Sequence, residues 1–317
     1  MAGSRKIDQL VRIARLYYED NCTQQMIAAK TGLSRPYVSK LLNQARESGI
    51  VEVKIHDPNM TETKLERELR AKYNLKKVIA APVTGAPDEN LLMKLSSALT
   101  RYFNLIISDN DIIGVSWGTT LYACSHELRV FEQVSNIQVV QMCGAISMVD
   151  RDIYASEIPK KFAEALNGTP YLLPLPAVVD NIEAKNAIVK DKSISQILHM
   201  ARMANVALFS VGVFDYDRTL CRAGYVSPKK VHELLAKGAV GDMCSRIINA
   251  QGQLCDFELN SRTIGIELDD LKDKEYSIMI AGGLDKAVCI RAALNGRYAN
   301  VLITDEEVGR ILLEEAR

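Results

Sequence analysis

The stretch with the plainest chemistry is Gly114-Val115-Ser116-Trp117-Gly118-Thr119-Thr120. An apolar run, Ile112-Ile113-Gly114-Val115, leads into it, and a helix-like segment begins at about Thr119. Strand, small-residue turn and helix N-terminus together make an anion cradle, because free backbone N–H groups and the positive end of the helix dipole face the ligand. Glycines let a ligand approach the backbone, and the hydroxyls of Ser116, Thr119 and Thr120 add donors. The same pattern also suits an enzyme's phosphate pocket or an ordinary strand–turn–helix corner. Other polar or glycine turns follow apolar runs further on. They are Met142-Cys143-Gly144, Val211-Gly212-Val213 before Asp215, and Ala281-Gly282-Gly283 before Lys286. A further turn, Gly238-Ala239-Val240-Gly241-Asp242, brings a carboxylate.

These turns need elements to hold them. Val78–Ala81, Ile112–Val115, Ile137–Val140, Val206–Phe209, Ser277–Ile280 and Val301–Ile303 are short β-rich runs, with helical stretches such as Leu91–Leu105, Ser156–Leu166 and Lys286–Leu294 between them. Strands alternating with helices predict an α/β fold with a mostly parallel sheet covered on both faces. Ligands then bind beyond the carboxyl ends of the strands, where the turns above fall.

The N-terminal part has a different period. Apolar residues at 7, 10, 11, 13, 14, 16 and 17 predict a helix from Ile7 to Tyr18 with a broad buried face. Thr23 is placed to cap a second helix, Gln24 to Lys30, on which Met26, Ile27 and Ala29 offer apolar surface. Gly32 suits a tight turn, and Ser34 is placed to cap a third helix with Pro36 in its first turn. Val38, Leu41, Leu42 and Ala45 form that helix's buried stripe. Helices in this order, with a glycine turn before the last, are the helix-turn-helix pattern of DNA-binding domains. Over residues 1–57, nine Lys/Arg stand against six Asp/Glu, a net of +3, so a neutral chain carries a basic head. Arg35, Tyr37, Ser39, Lys40 and Gln44 lie off the buried stripe. The fork of Arg35 matches the two acceptors of a guanine, while Lys40 and Thr23 are placed to contact phosphates, and Gln24 joins them as a DNA-contacting residue.

Ile50–Ile55 alternates and predicts a strand. From 58 to 75 a charged linker helix is expected, with Leu65, Leu69 and Tyr73 in a narrow seam suited to pairing with a second copy. The domains expected are therefore 1–57, the linker 58–75, and an effector domain over 76–317.

A chain of 317 residues, 48% hydrophobic and 25% charged, is an ordinary globular composition for two domains. Its apolar runs are strand-sized and its N-terminus lacks an apolar core, so neither a membrane span nor a signal peptide is expected. The seven cysteines form no C-x-x-C pair, and the four histidines are scattered, so no disulfide framework, metal site or cofactor motif is expected. A cytoplasmic setting follows.

The chain resembles the SorC family of bacterial sugar-responsive transcriptional regulators, and within it the deoxyribonucleoside-responsive branch. The match rests on Ala14-Arg15-Leu16-Tyr17-Tyr18, Leu33-Ser34-Arg35-Pro36, Gly114–Thr120, Tyr171-Leu172-Leu173-Pro174-Leu175-Pro176, Gly238–Arg246, Arg262-Thr263-Ile264-Gly265, Ala281-Gly282-Gly283 and Tyr298–Ile303. The resemblance implies an effector domain similar to ribose-5-phosphate isomerase and glucosamine-6-phosphate deaminase. It also implies a homodimer or homotetramer on palindromic or paired half-sites of operator DNA, and a phosphorylated sugar as effector. Carried onto this chain, Ser116, Gly118, Thr119 and Thr120 would hold the phosphate, Lys286 and Arg222 would add positive charge, and Asp242 would accept from sugar hydroxyls. One branch of the family holds deoxyribose 5-phosphate as a Schiff base on a lysine after the third strand. Here that position is Cys143, and a thiol forms no imine. The expectation is therefore a repressor with a non-covalently bound effector. An activator of the same build, with a different sugar, phosphorylated or not, is the alternative. A sugar-phosphate isomerase or deaminase using Asp215, Asp217 and Asp242 as acid–base groups would leave the DNA head unexplained, so no catalytic residue is assigned.

Overall fold

The computed structural model describes residues 2–18, 20, 22–48, 50–51, 62–82, 89–131, 133–145, 154–216 and 225–314. The chain forms two compact units, Met1–Thr61 and Glu62–Arg317.

The first unit holds helices α1 (Ala2–Tyr18), α2 (Gln24–Thr31) and α3 (Arg35–Glu47), with α1 and α2 both packed on α3. Its core is Leu10, Ile13, Ala14, Cys22, Ile27, Val38, Leu41, Leu42 and Ala45, so the stripe expected on α3 is buried in full. Ile7 and Met26 are exposed instead, because one helix face suffices to cover α3. Thr23 caps α2 by accepting from the Met26 amide at 3.2 Å, and Gly32 turns the chain with φ 71°. Ser34 stands at the N-cap of α3 but its side chain makes no capping bond, and Pro36 shapes that first turn. Of the strand expected over 50–55, residues 52–55 lie outside the described residues.

The second unit runs α4 (Lys64–Tyr73), β1 (Lys77–Ala81), α5 (Glu89–Ile106), β2 (Ile112–Val115), α6 (Thr119–Glu127), β3 (Gln138–Gln141), α7 (Glu157–Ala165), β4 (Thr169–Tyr171), α8 (Ile182–Val189), α9 (Lys192–Met203), β5 (Val206–Phe209), β6 (Gly212–Val213), α10 (Pro228–Ala236), β7 (Ala239–Met243), β8 (Arg246–Asn249), α11 (Phe257–Ser261), β9 (Tyr276–Ile280), α12 (Ala287–Asn295), β10 (Val301–Asp305) and α13 (Glu306–Leu313). Seven strands form one sheet in the order β1-β10-β9-β5-β2-β3-β4, and every pairing in it is parallel. Val206–Phe209 and Val301–Asp305 are buried throughout, as strands covered on both faces must be.

The order reverses at β2. From β2 the chain steps outward to β3 and β4, then returns to β5 on the other side of β2 and continues to β9 and β10. Right-handed crossovers in opposite directions put their helices on opposite faces, which opens a crevice between the carboxyl ends of β2 and β5. Between β5 and β9 the chain inserts a second, antiparallel sheet, β6-β7-β8. The segment Gly238–Asp242, expected as a turn, is largely strand β7 of this sheet, with an irregularity between Ala239 and Gly241.

The linker helix also departs from expectation. Thr63 caps α4 in a capping box with Glu66, whose buried carboxylate also accepts from the Ala80 amide at 2.9 Å. Leu69 is fully buried, and it and Leu65 pack against Gly309 of α13. Lys72 and Tyr73 donate to the carbonyl of Leu312, each at 2.9 Å. The apolar seam read as a pairing surface is therefore filled from within the same chain, and the helix belongs to the effector unit rather than to a separate linker.

Candidate functional site

A cavity of about 110 Å³ lies at the crevice between β2 and β5. Three sheet-end segments and the antiparallel hairpin line it. Ser116–Thr120 follow β2, Ser210 and Val211 follow β5, and Lys286 follows the turn after β9. Asp242, Cys244 and Ser245 come from β7 and the turn beyond it.

Each segment is held for a local reason. The Ser116 amide donates to the Leu208 carbonyl at 2.9 Å, tying the two sides of the crevice together. Gly118 then takes φ 127° and ψ 164°, a conformation closed to L side chains, and starts α6. Having no side chain, Gly118 cannot cap α6, so the first amides of this nine-residue helix remain available at the cavity. Thr120 is buried and Thr119 exposed. Lys286 ends a short 3-10 turn, Leu284–Lys286, and its Nζ stands 3.5 Å from the Thr120 hydroxyl. The turn before it is held by Asp305, buried at the end of β10, which accepts from the Gly283 amide and the Val308 amide, each at 2.8 Å.

The opposite wall carries the carboxylate. Gly212 pairs with Asp242 across β6 and β7, and a Cβ on Gly212 would come within 2.9 Å of Asp242 Oδ1. Burial pushes the Asp242 carboxyl up to about 7, with the nearby Lys286 ammonium working against that shift. A positive helix terminus and an ammonium on one side, and a carboxyl poised near neutrality on the other, suit a molecule with an anionic end and a hydroxyl-bearing end.

Ser116, Gly118, Thr119, Thr120, Asp242 and Lys286 thus meet in one cavity. Cys143 is not on its surface. It is fully buried one layer behind, bridged to Gly265, with its thiol against Cys244. That hydrogen bond, together with burial, holds the Cys244 thiol well above the usual range. Arg222 and Asp217 lie outside the described residues, and Asp215 is not among the lining residues. Ser210, Cys244 and Ser245 line the cavity without having been singled out; Cys244 and Ser245 lie inside the Gly238–Arg246 match, just beyond the Gly238–Asp242 segment expected as a turn.

In the first unit, Thr23, Gln24 and Arg35 line one cleft with Tyr17, Tyr18, Cys22 and Gln25. Tyr37 and Lys40 are exposed, and Ser39 and Gln44 half-buried, on the face of α3 away from its core. Arg46 donates to the Tyr18 hydroxyl at 2.8 Å, fastening the end of α1 to α3 beside that cleft.

Comparison with known proteins agrees with this arrangement. The sugar-binding domain family Sugar-bind matches residues 57–314. The deoxyribonucleoside regulator of Bacillus subtilis (strain 168) is 41% identical over 308 residues, spanning 96% of this chain and 97% of that protein. The sorbitol operon regulator of Klebsiella pneumoniae is 30% identical over 315 residues, 99% of this chain and 100% of its own length. The crystal structure of the full-length sorbitol operon regulator SorC from Klebsiella pneumoniae superposes with a TM-score of 0.73, at 29% identity, over 97% of this chain and 99% of that one. These relatives are transcriptional regulators, and among the described residues no helix is long and apolar enough to cross a membrane. With a helix-turn-helix head, an α/β effector unit and a cavity at its switch point, the chain belongs to the SorC family of sugar-binding transcriptional regulators.

Proposed function

We propose that this protein is a repressor that leaves its operator when a phosphorylated sugar, such as deoxyribose 5-phosphate, binds non-covalently in the cavity. The observation that carries the reading is the opposition of Lys286 and the uncapped N-terminus of α6 to Asp242 across one small cavity. The phosphate sits on the amides of Thr119 and Thr120 with Lys286 beside it, and Asp242 meets the sugar hydroxyls. A relative named for deoxyribonucleosides supports the choice of sugar. Cys143, buried behind Cys244, offers no amine for an imine, so the complex is held by hydrogen bonds and charge alone.

In the head, Arg35 reads a guanine, Tyr37, Ser39 and Gln44 face the groove, and Thr23, Gln24 and Lys40 position the domain on phosphates. Two heads of a homodimer or homotetramer engage paired half-sites. The effector releases DNA because it binds the DNA-free arrangement more tightly; an equal affinity for both states would shift nothing.

The test titrates the full-length protein, bound to fluorescent DNA from upstream of its own transcription unit, with deoxyribose 5-phosphate, deoxyribose and inorganic phosphate. Release by the sugar phosphate at concentrations where the free sugar has no effect is expected. Equal potency of free deoxyribose would overturn the phosphate assignment, and tighter DNA binding with sugar phosphate would overturn the repressor assignment.

A further inference from the structure

Two hydroxyls in the cavity have no partner among the described residues. The Oγ atoms of Ser210 and Ser245 are both buried and accept or donate no hydrogen bond to any described group. Ser245 is only 3% exposed, and both residues line the cavity. A buried hydroxyl that gives up water without a protein partner is a cost to the folded state, and such groups are rare enough in native proteins that each needs a reason.

The backbone around Ser245 sharpens the point. β7 and β8 are joined by the two residues Cys244 and Ser245, with Met243 paired to Arg246. Both turn residues have left-handed backbones, φ 48° and φ 64°. A two-residue hairpin of this kind prefers Asn-Gly or Asp-Gly, which adopt that conformation readily. Turn chemistry alone therefore does not select Cys-Ser. What the turn does accomplish is to set Ser245 among the residues lining the cavity, together with Asp242 and the start of α6. Ser210 enters from the other direction, at the end of β5 and next to the Ser116 side of the crevice.

We infer that Ser245, with Ser210, reads the hydroxyls of the ligand, so that the cavity selects a polyhydroxylated phosphate monoester over a bare phosphate. This assignment rests on the reading of the cavity as a sugar-phosphate site and adds to it a division of labour. The α6 end and Lys286 take the phosphate; Asp242, Ser245 and Ser210 take the carbon chain. Because a serine hydroxyl both donates and accepts, the pair serves adjacent hydroxyls of a sugar in either sense, whereas an ionised Asp242 only accepts.

The test uses the full-length protein and isothermal titration with ribose 5-phosphate, deoxyribose 5-phosphate, sorbitol 6-phosphate and inorganic phosphate. Ser245→Ala is expected to weaken the best sugar phosphate by roughly tenfold, the worth of one neutral hydrogen bond, and to leave inorganic phosphate unchanged. The ligand-free melting temperature stays level or rises, since the lost hydroxyl had no partner. Ser245→Gly, which suits the left-handed backbone better, gives the same binding loss and guards against misfolding of the alanine variant. Unchanged sugar-phosphate affinity in both variants overturns the assignment, as does an equal loss for inorganic phosphate. Wild-type protein that binds none of the three sugar phosphates more tightly than inorganic phosphate fails the underlying reading instead, and the assignment falls with it.

Discussion

The cavity has two walls built on opposite plans. One is the rim of a parallel sheet, where a strand ends, a glycine turns and a helix begins, so that backbone amides lie at the cavity. The other is an antiparallel hairpin that lines the cavity with side chains: Asp242, Cys244 and Ser245. Apart from Gly118, Lys286 and a few hydroxyls, the first wall works through its backbone. The second asks for close approach and strained turns, and it carries the titrating group. Under the proposed function, affinity for an anion comes from the generic wall, while choice among sugars falls to the particular one.

The largest effect expected is on the second wall's seating. A Cβ on Gly241 would lie 2.5 Å from Cys289 Cβ and 3.0 Å from the Gly212 carbonyl oxygen, neither of which can step aside. Gly241→Val should destabilise the protein by about 3 kcal/mol. Chemical denaturation measures it, and a loss under about 1 kcal/mol would mean that the hairpin floats rather than packs. The next effect is a pH slope. The Asp242 carboxyl ionises at about 7 in the folded protein against an ordinary 3.8. Between those values the folded state holds a proton that the unfolded chain has lost, so stability falls as pH rises towards about 7 and levels off above. Allowing for its partial exposure in the cavity, the drop is about 2 kcal/mol. Asp242→Asn should abolish it, and a slope surviving in that variant would place its origin elsewhere.

On the first wall, Gly118 has open space where a Cβ would go, so Gly118→Ala costs only backbone strain, about 1–2 kcal/mol. Its mark is a loss of inorganic phosphate affinity together with that of sugar phosphates, the opposite of the pattern expected from the hairpin. The smallest effect is a gain. Ser245→Gly relieves a left-handed turn residue and should raise ligand-free stability by up to about 1 kcal/mol. A clear loss would show the serine to be structural.

The same contrast explains what was legible in the sequence. Strands of the parallel sheet are continuous apolar runs, and Ile112–Val115 and Val206–Phe209 have the bounds their composition predicts. Edge strand β4 is hidden by Pro170, which an edge tolerates and a propensity reading does not. β7 is hidden by Gly241, which mimics a turn but serves close packing against β6 and α12. The candidate phosphate residues were readable because the chemistry there is local, strand to helix in one stretch. Ser210 and Ser245 were not, because each becomes notable only once β5 and the hairpin meet and leave its hydroxyl without a partner. The seam of α4 was legible as apolar and not as to what covers it, since its cover, α13, lies more than two hundred residues away.

Asp305 has a consequence of a mechanical kind. Its two oxygens are committed, one to the Val308 amide in the first turn of α13 and one to the turn that leads to Lys286, and its burial removes water as a substitute for either. α13 in turn is clasped by Lys72 and Tyr73 of α4, the first helix of the effector unit after the DNA-binding head in the chain. A carboxylate that serves two masters leaves no slack between them. The turn before Lys286, the first turn of α13 and the end of α4 are therefore tied in series by side chains of the effector unit itself.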